Sequence, residues 1–372
     1  MEINKVNRLI RALMMLVIVG ALVVAGLTTL VMNEVRRPAT AESTTLVDFE
    51  ITAGESADAI AQRLQDEGLI RQPLLFKLIA QQRGVANKLE AGQFQLQPRM
   101  TTSEIITALQ ESKVEEAQFT TIEGMRMEQI AEVLVAANIV PSIEAALAVM
   151  RNADAFKATH ARLKDIPAGG SLEGYLFPST YRVFSTTTIT DVVEKILTDG
   201  FDAQYSLFEK EVSVPDRNIH EIVTMASIVQ REAANNDEMP HIAHVFWNRL
   251  KPEYQDEVGG RLQADPTLQY ALGKSGNWWP QLDTLTLAEI DGNTSPYNTR
   301  RVSGLPPGPI ASAGLRALRS AAKPGADRPD GTPGQRDVYF VVKCGENGTN
   351  FADNLEAFNT LQNEYLNCPN PL

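Results

Sequence analysis

The sequence is short of the residues on which several common chemistries depend. It has four histidines and two cysteines in 372 residues, and no His-Glu-x-x-His pattern, so a zinc hydrolase of that kind is excluded. His241 and His244 lie three apart, near Glu238, a spacing that lets two side chains face one ion. Without that pattern they read as helix-surface histidines, and neither a metal nor any other cofactor is expected. A Gly-x-Ser-x-Gly elbow, a P-loop and a dinucleotide fingerprint are also missing, which leaves serine hydrolase, nucleotide and redox readings without support. Positive charge is scarce as well: 34 Lys and Arg stand against 46 Asp and Glu, a net charge of -12. Binding nucleic acid requires clustered basic residues that displace counterions from phosphates, so no nucleic-acid partner is expected.

One stretch lacks charge altogether. From Ala12 to Met32 there is no Asp, Glu, Lys or Arg, a length that at the helical rise spans a bilayer. Lys5, Arg8 and Arg11 precede it, and Arg36 and Arg37 follow, partly offset by Glu34. The bias places residues 1–11 in the cytoplasm as a short tail, 12–32 as a single-pass helix in the plasma membrane and everything after it outside the cytoplasm. A cleaved signal peptide is the rival reading, with Ala39-Thr40-Ala41 resembling a cleavage site, but the apolar run is longer than a usual signal core. Cys344 and Cys368, both near the C-terminus, could pair in such a compartment or stay as two free buried thiols.

Residues 33–45 form a polar linker, after which the pattern becomes globular. A strand at Leu46–Ile51 leads through Gly54 into an amphipathic helix with Ile60, Ala61 and Leu64 on one face, ending near Gly68. A helix after Pro73, a strand at Phe94 and Leu96 and a short helix capped at Thr102 or Ser103 complete a small α/β domain over 46–118. The opening pattern returns seventy positions later, with Gly124 in the place of Gly54 and Leu134 in that of Leu64. The repeat serves equally as a ligand-gripping or a purely structural module. The larger domain, 119–372, carries helices at Ser142–Arg151, Thr190–Leu197, Asp216–Ala234 and Asp237–Leu250, a strand at Val338–Val342 and a closing helix at Asn354–Tyr365. Helices first and scattered strands later predict an α+β layout.

Within that domain Glu232 stands out. It falls three and four residues after Val229 and Ile228, on the apolar stripe of its helix and at the negative end of the helix dipole. Both surroundings disfavour the carboxylate and keep the group protonated, as a general acid requires; a glutamate snorkelling from the edge of the stripe is the plain alternative. Further polar clusters are Leu172-Glu173-Gly174-Tyr175, Gln263-Ala264-Asp265-Pro266-Thr267, Tyr297-Asn298-Thr299 and Gly304-Leu305-Pro306-Pro307-Gly308-Pro309-Ile310, each of which also reads as an ordinary turn or brace. Trp278 and Trp279 could be exposed for sugar stacking or partner contact, or could be core.

The segments Val223–Glu232, Val245-Phe246-Trp247-Asn248-Arg249-Leu250 and Arg261–Thr267, followed by Tyr297-Asn298-Thr299 and Gly304–Gly308, occur in the order and spacing of the MltG/YceG-like endolytic murein transglycosylases, which this chain resembles from the N-terminal anchor to about Phe358. The resemblance implies a LysM-like fold for 46–118 and a catalytic domain over 119–372. It also implies cleavage of the MurNAc–GlcNAc β-1,4 bond of peptidoglycan strands without water, leaving 1,6-anhydromuramyl ends. Glu232 occupies the family's catalytic position; Glu173, Gln263, Asp265 and Asn298 are expected substrate-binding residues. Peptidoglycan glycan strands would be the substrate, and membrane-bound peptidoglycan synthases would be neighbours. Three positions depart from the family pattern: Gln230 replaces an acidic residue, and Asn350 and Phe358 stand where histidines are usual. A two-carboxylate hydrolase, with Glu173 or Asp265 as second acid, and a non-catalytic wall-binding scaffold are the alternatives.

Overall fold

A computed structural model describes residues 36–369 except 41, 42, 44, 53, 54, 87, 88, 90, 91, 112–115, 185, 186, 215 and 345–347, with a few isolated positions before 36. The expected membrane span at 12–32 lies mostly outside the described residues, among which no helix is long and apolar enough to cross a membrane. The chain divides into two compact units, Met1–Glu116 and Ala117–Leu372. Among the described residues the strands form three two-stranded sheets beside many helices, an α+β architecture as expected.

In the first unit, β1 (Val47–Ile51) pairs antiparallel with β2 (Gly92–Leu96), placing Phe49 opposite Phe94. Alternation points Phe49, Ile51, Phe94 and Leu96 to one buried face. Helix α1 (Ala57–Asp66) starts at Ser56, whose Oγ accepts from the Ala59 N–H at 3.2 Å, and buries Ile60, Ala61 and Leu64. Gly68, in the left-handed region at φ 70°, ends it and lets the Leu69 N–H reach the Leu64 carbonyl at 2.8 Å. Helices α2 (Pro73–Gln82) and α3 (Thr102–Glu111) close the core with Phe76, Ile105 and Ile106.

The second unit opens with β3 (Glu116–Thr120), which pairs with β4 (Thr180–Phe184). Helices α4 (Met127–Ala136) and α5 (Ile143–Met150) begin seventy positions after α1 and α2. Asn138 at φ 55° stands where Gly68 stood, and the Ile139 N–H bonds the Leu134 carbonyl at 3.0 Å. The repeat is therefore one of structure as well as sequence. Helix α6 (Ile189–Lys195) continues as a π-helical stretch, Ile196–Asp202, longer than the expected end at Leu197.

Helix α7 (Ile219–Glu232) is the centre of this unit, packed against α8 (Met239–Arg249), α9 (Asp265–Leu272) and α10 (Leu315–Ala322). It begins three residues later than the expected Asp216, because Asn218 and Glu221 form a reciprocal capping box, with the Asn218 side chain accepting from the Glu221 N–H and Glu221 from that of Asn218. Strand β5 (Tyr339–Val342) pairs antiparallel with β6 (Thr349–Ala352), and α11 (Leu355–Leu366), capped by Asn354, packs on both. Cys344 and Cys368 form a disulfide, resolving the open alternative.

Candidate active site

Glu232 is the last residue of α7, and its carboxyl opens into a cleft of about 580 Å³ lined also by Arg249, Gln263, Asp265, Arg300, Tyr339, Phe340, Phe358 and Gln362, among others. The residue keeps a partly exposed edge at the cleft, but protein surrounds its carboxyl. That desolvation, with the negative charge of Asp265 nearby, raises its pKa to about 7. Arg249, the Asp265 backbone N–H and Arg300 pull the other way. Two helix ends therefore meet at one carboxyl. The negative end of α7 disfavours charge on it, whereas the first N–H of α9, which like any first helical N–H has no partner within its own helix, stabilises the anion.

Asp265 and Gln263 line this cleft with Glu232, as expected. Asp265 Oδ1 accepts from Arg300 Nε at 3.0 Å and from Arg300 Nη2, an ion pair at the cleft's open side. Gln263 adopts φ 53°, an uncommon conformation for a non-glycine residue, fixed by its N–H donating to the Thr299 carbonyl at 3.0 Å. The Thr299 hydroxyl accepts from the Ala264 N–H at 3.0 Å and bonds the Thr267 hydroxyl at 2.8 Å. This short loop thereby sets both the odd backbone of Gln263 and the start of α9.

Asn298 does not line the cleft. It is fully buried, and its amide donates to the Ile290 and Asn293 carbonyls at 2.8 and 2.9 Å while its oxygen accepts from the Arg300 N–H at 3.3 Å. The expectation that it touches substrate gives way to a supporting role, since its polar atoms are engaged in shaping the loop that carries Arg300.

Glu173 also lies outside the cleft lining. Its buried carboxyl group accepts from the Met127 N–H at 3.1 and 3.2 Å and from the Tyr270 hydroxyl at 3.3 Å. Burial and the nearby Glu128 charge raise its pKa to about 8. It caps α4 from a distant segment and ties it to α9, on which Tyr270 sits. The neighbouring Arg126 donates to the Tyr270 and Trp278 carbonyls at 3.0 and 3.3 Å and lies 4.0 Å over the Tyr270 ring.

Residues not singled out from sequence complete the site. Arg249, buried on the last turn of α8, donates through Nε to the Val338 carbonyl at 2.6 Å and through Nη1 to that of Leu262. It thus ties the Gln263–Asp265 segment to the approach to β5, and burial lowers its pKa to about 10 while Glu232 supports its charge. A cation on the mostly apolar α8 was the available signal. For Arg300, Gln362 and the β5 residues there was none, since only the folded chain brings them to Glu232, and Phe358 was marked only by standing where the family usually has a histidine.

The remaining expectations resolve as structure. The proline loop braces α7: the Ile310 N–H donates to the Ser227 hydroxyl at 3.0 Å, and Pro309 packs against Gly174, where a Cβ would come within 2.3 Å. The φ of 82° at Gly174 suits glycine as well. Gln230 accepts from the Gly314 N–H at 2.9 Å and donates to Glu123 at 3.2 Å, away from the cleft lining. His241 is not on the surface: it is buried, held by the Gly325 carbonyl and by Asp337, which Arg328 grips from the other side. Among the described residues no group of His, Cys, Asp and Glu is placed to hold a metal. Trp278 and Trp279 are partly buried, their indole N–H groups donating to Glu132 and Gln129 of α4 at 3.0 and 3.2 Å.

The sequence matches the YceG-like family over residues 49–364. It is 30% identical over 343 residues to a Bacillus subtilis protein described as an endolytic murein transglycosylase, covering 90% of this chain and 88% of that one. A Streptococcus pneumoniae protein of the same description is 30% identical over 353 residues, which are 89% of this chain but 60% of the longer relative, so the chain spans only part of that protein's length. The crystal structure of a yceG-like protein from Listeria monocytogenes superposes with a TM-score of 0.53 at 28% identity, covering 85% of this chain and 99% of that one. With the match extending over most of its length and including Glu232 and its cleft, the chain belongs to the YceG-like family.

Proposed function

We propose that this chain is an endolytic murein transglycosylase with Glu232 as its catalytic acid and base. The observation that carries the reading is a carboxyl with a pKa of about 7 in an open cleft whose other carboxylate, Asp265, is engaged by Arg300. Protonated Glu232 donates to the glycosidic oxygen between MurNAc and GlcNAc as the C1–O bond breaks. The resulting carboxylate, stabilised by Arg249 and the Asp265 N–H, takes the proton of the muramyl O6 hydroxyl while O6 bonds C1. One carboxyl gives and recovers one proton, and water does not enter. Gln263 and Asp265 contact the sugars beside it. The descriptions carried by the Bacillus and Streptococcus relatives support the same activity.

The uncharged stretch Ala12–Met32 supports a single-pass anchor in the plasma membrane with residues 1–11 cytoplasmic, and the disulfide accords with an oxidising compartment outside it. The first unit, a strand, two helices, a strand and a further helix, supports the LysM-like reading of 46–118 as a glycan-gripping module. An enzyme so anchored would cut nascent strands beside membrane-bound peptidoglycan synthases and end their elongation. Mass spectrometry of purified glycan strands digested by the full chain tests the chemistry: 1,6-anhydromuramyl ends are expected, and reducing ends would establish a hydrolase using Glu232 and Asp265 instead.

A further inference from the structure

One wall of the cleft belongs to a piece of the fold with little hold on the rest. Helix α11 has no fully buried residue. Its inward side chains, Ala357, Phe358 and Leu361, pack on a small cluster around Tyr339 and Ala352 that is separate from the main core. At its start the Leu355 N–H donates to Glu257 at 3.0 Å, and Phe358 stacks on Tyr339 with ring centroids 4.9 Å apart. A helix of 12 residues is marginal on its own. Its far end is fastened by the Cys344–Cys368 disulfide, which joins the chain two residues beyond β5 to the chain two residues beyond α11. Both elements line the cleft that holds Glu232, β5 through Tyr339–Val342 and α11 through Phe358 and Gln362.

We propose that Phe358 and Gln362 form a glycan-contacting wall of the Glu232 cleft, and that the Cys344–Cys368 disulfide fixes the position of this wall against β5. The proposal rests on the glycan-cleaving reading of the same cleft. Phe358, with one face on Tyr339, presents apolar surface of the kind that packs on a sugar ring, and the exposed Gln362 amide both donates and accepts hydrogen bonds, as hydroxyl and acetamido groups require. Neither a phenyl ring nor an amide can exchange a proton as the Glu232 carboxyl does, so these residues act on how well glycan is held. Opening the disulfide leaves Glu232, Arg249 and Asp265 on the main core and frees only the wall.

The test compares the full chain as purified, the same protein treated with a phosphine reductant, and the Cys344→Ser/Cys368→Ser double variant, each acting on defined glycan strands. The phosphine gives up two electrons and leaves as its oxide, and two protons from water complete the two thiols. Reduction and the double variant are each expected to raise KM about five- to tenfold, the loss of one or two hydrogen-bond-sized contacts, with kcat changed less than twofold. Phe358→Ala and Gln362→Ala, which keep the disulfide, are expected to raise KM in the same direction. Hydrogen exchange should quicken in α11 upon reduction and stay unchanged in α7. An unchanged KM in both single variants would overturn the contact, and an unchanged KM and exchange after reduction would overturn the role of the disulfide. If the untreated protein cleaves nothing, the transglycosylase reading falls by itself. Calorimetric binding of the strands to Glu232→Gln, with and without reductant, then still decides this proposal: tighter binding in the oxidised form supports it, and equal binding or none overturns it.

Discussion

The strand and two helices that begin at Val47 and those that begin at Glu116 follow one plan, yet they are fastened differently. In the first copy Ser56 caps α1 from its own chain, and Gly68 ends the helix without steric cost. In the second, the corresponding position is the buried Arg126, the first helical N–H is capped by Glu173, forty-six residues away in sequence, and Asn138 takes the left-handed turn. The first copy is complete in itself. The second takes the cap of the first N–H of α4 from Glu173, which also holds Tyr270 of α9, while Gln129 and Ser142 still cap locally, so the stability of α4 is tied to the helix that begins at the Glu232 cleft. A duplicated module becomes part of an active-site scaffold when even one local cap is exchanged for a distant one.

The sharpest way to test that division is to strike the cleft alone. Glu232→Gln should reduce cleavage by about 10³-fold, within the range for removing a general acid, while leaving thermal unfolding of both modules in place. Residual cleavage near the original rate would remove Glu232 from the chemistry. Next in size is the response to pH. Because the acid must begin protonated, the rate should fall about tenfold per pH unit above its pKa of about 7. A flat rate between pH 7 and 9 would contradict an acid-first step.

Glu173→Ala should then separate the two copies. It leaves the Met127 N–H and the Tyr270 hydroxyl without their buried acceptor, a cost of about 2 to 3 kcal/mol, confined to the second unit and accompanied by lower kcat through α9. Calorimetry that shows the first unit melting earlier, or unaltered kcat, would break the link drawn here. The same carboxyl has a sign that can be checked. Its folded pKa of about 8 lies above the ordinary value of 4.5, so the folded chain binds more protons than the unfolded one. This contribution to stability is present below pH 4.5 and declines as pH rises to about 8. Glu173→Gln should flatten that decline. The smallest effect belongs to Ser56→Ala, about 1 kcal/mol from the first unit, with cleavage of short glycans unaffected; a change in kcat there would mean that the copies are not independent.

Much of this was written locally. The strand at Val47, the helices that open at Ser142 and Asn354, and the apolar stripe that carries Glu232 are short-range patterns, and their bounds fall within three residues of expectation. Gln263 and Asp265 reached the cleft because they flank the start of a helix. Glu173 and Asn298 were legible as polar residues in special loops, but Glu173 turns to partners 46 and 97 positions away, and Asn298 turns to carbonyls five and eight residues before it in a loop whose shape no short pattern prescribes. The same is true of Arg300, whose Asp265 partner lies thirty-five residues earlier, and of the wall formed by Phe358 and Gln362. The free N–H at the start of α9, which opposes the dipole of α7 at Glu232, has no sequence signature at all, because it depends on two helix ends meeting.

The two fastenings of α9 differ in what surrounds them. At one end Tyr270 is bound to Glu173, a carboxyl that burial keeps largely uncharged at neutral pH. At the other, Asp265 and Arg300 form an ion pair whose side chains are 49% and 34% exposed. Dissolved ions screen exposed charges over about 8 Å at 0.15 M and hardly touch a neutral buried bond. Ionic strength thus acts unequally on the two ends of α9, loosening Arg300 at the cleft while the Tyr270 end keeps its hold.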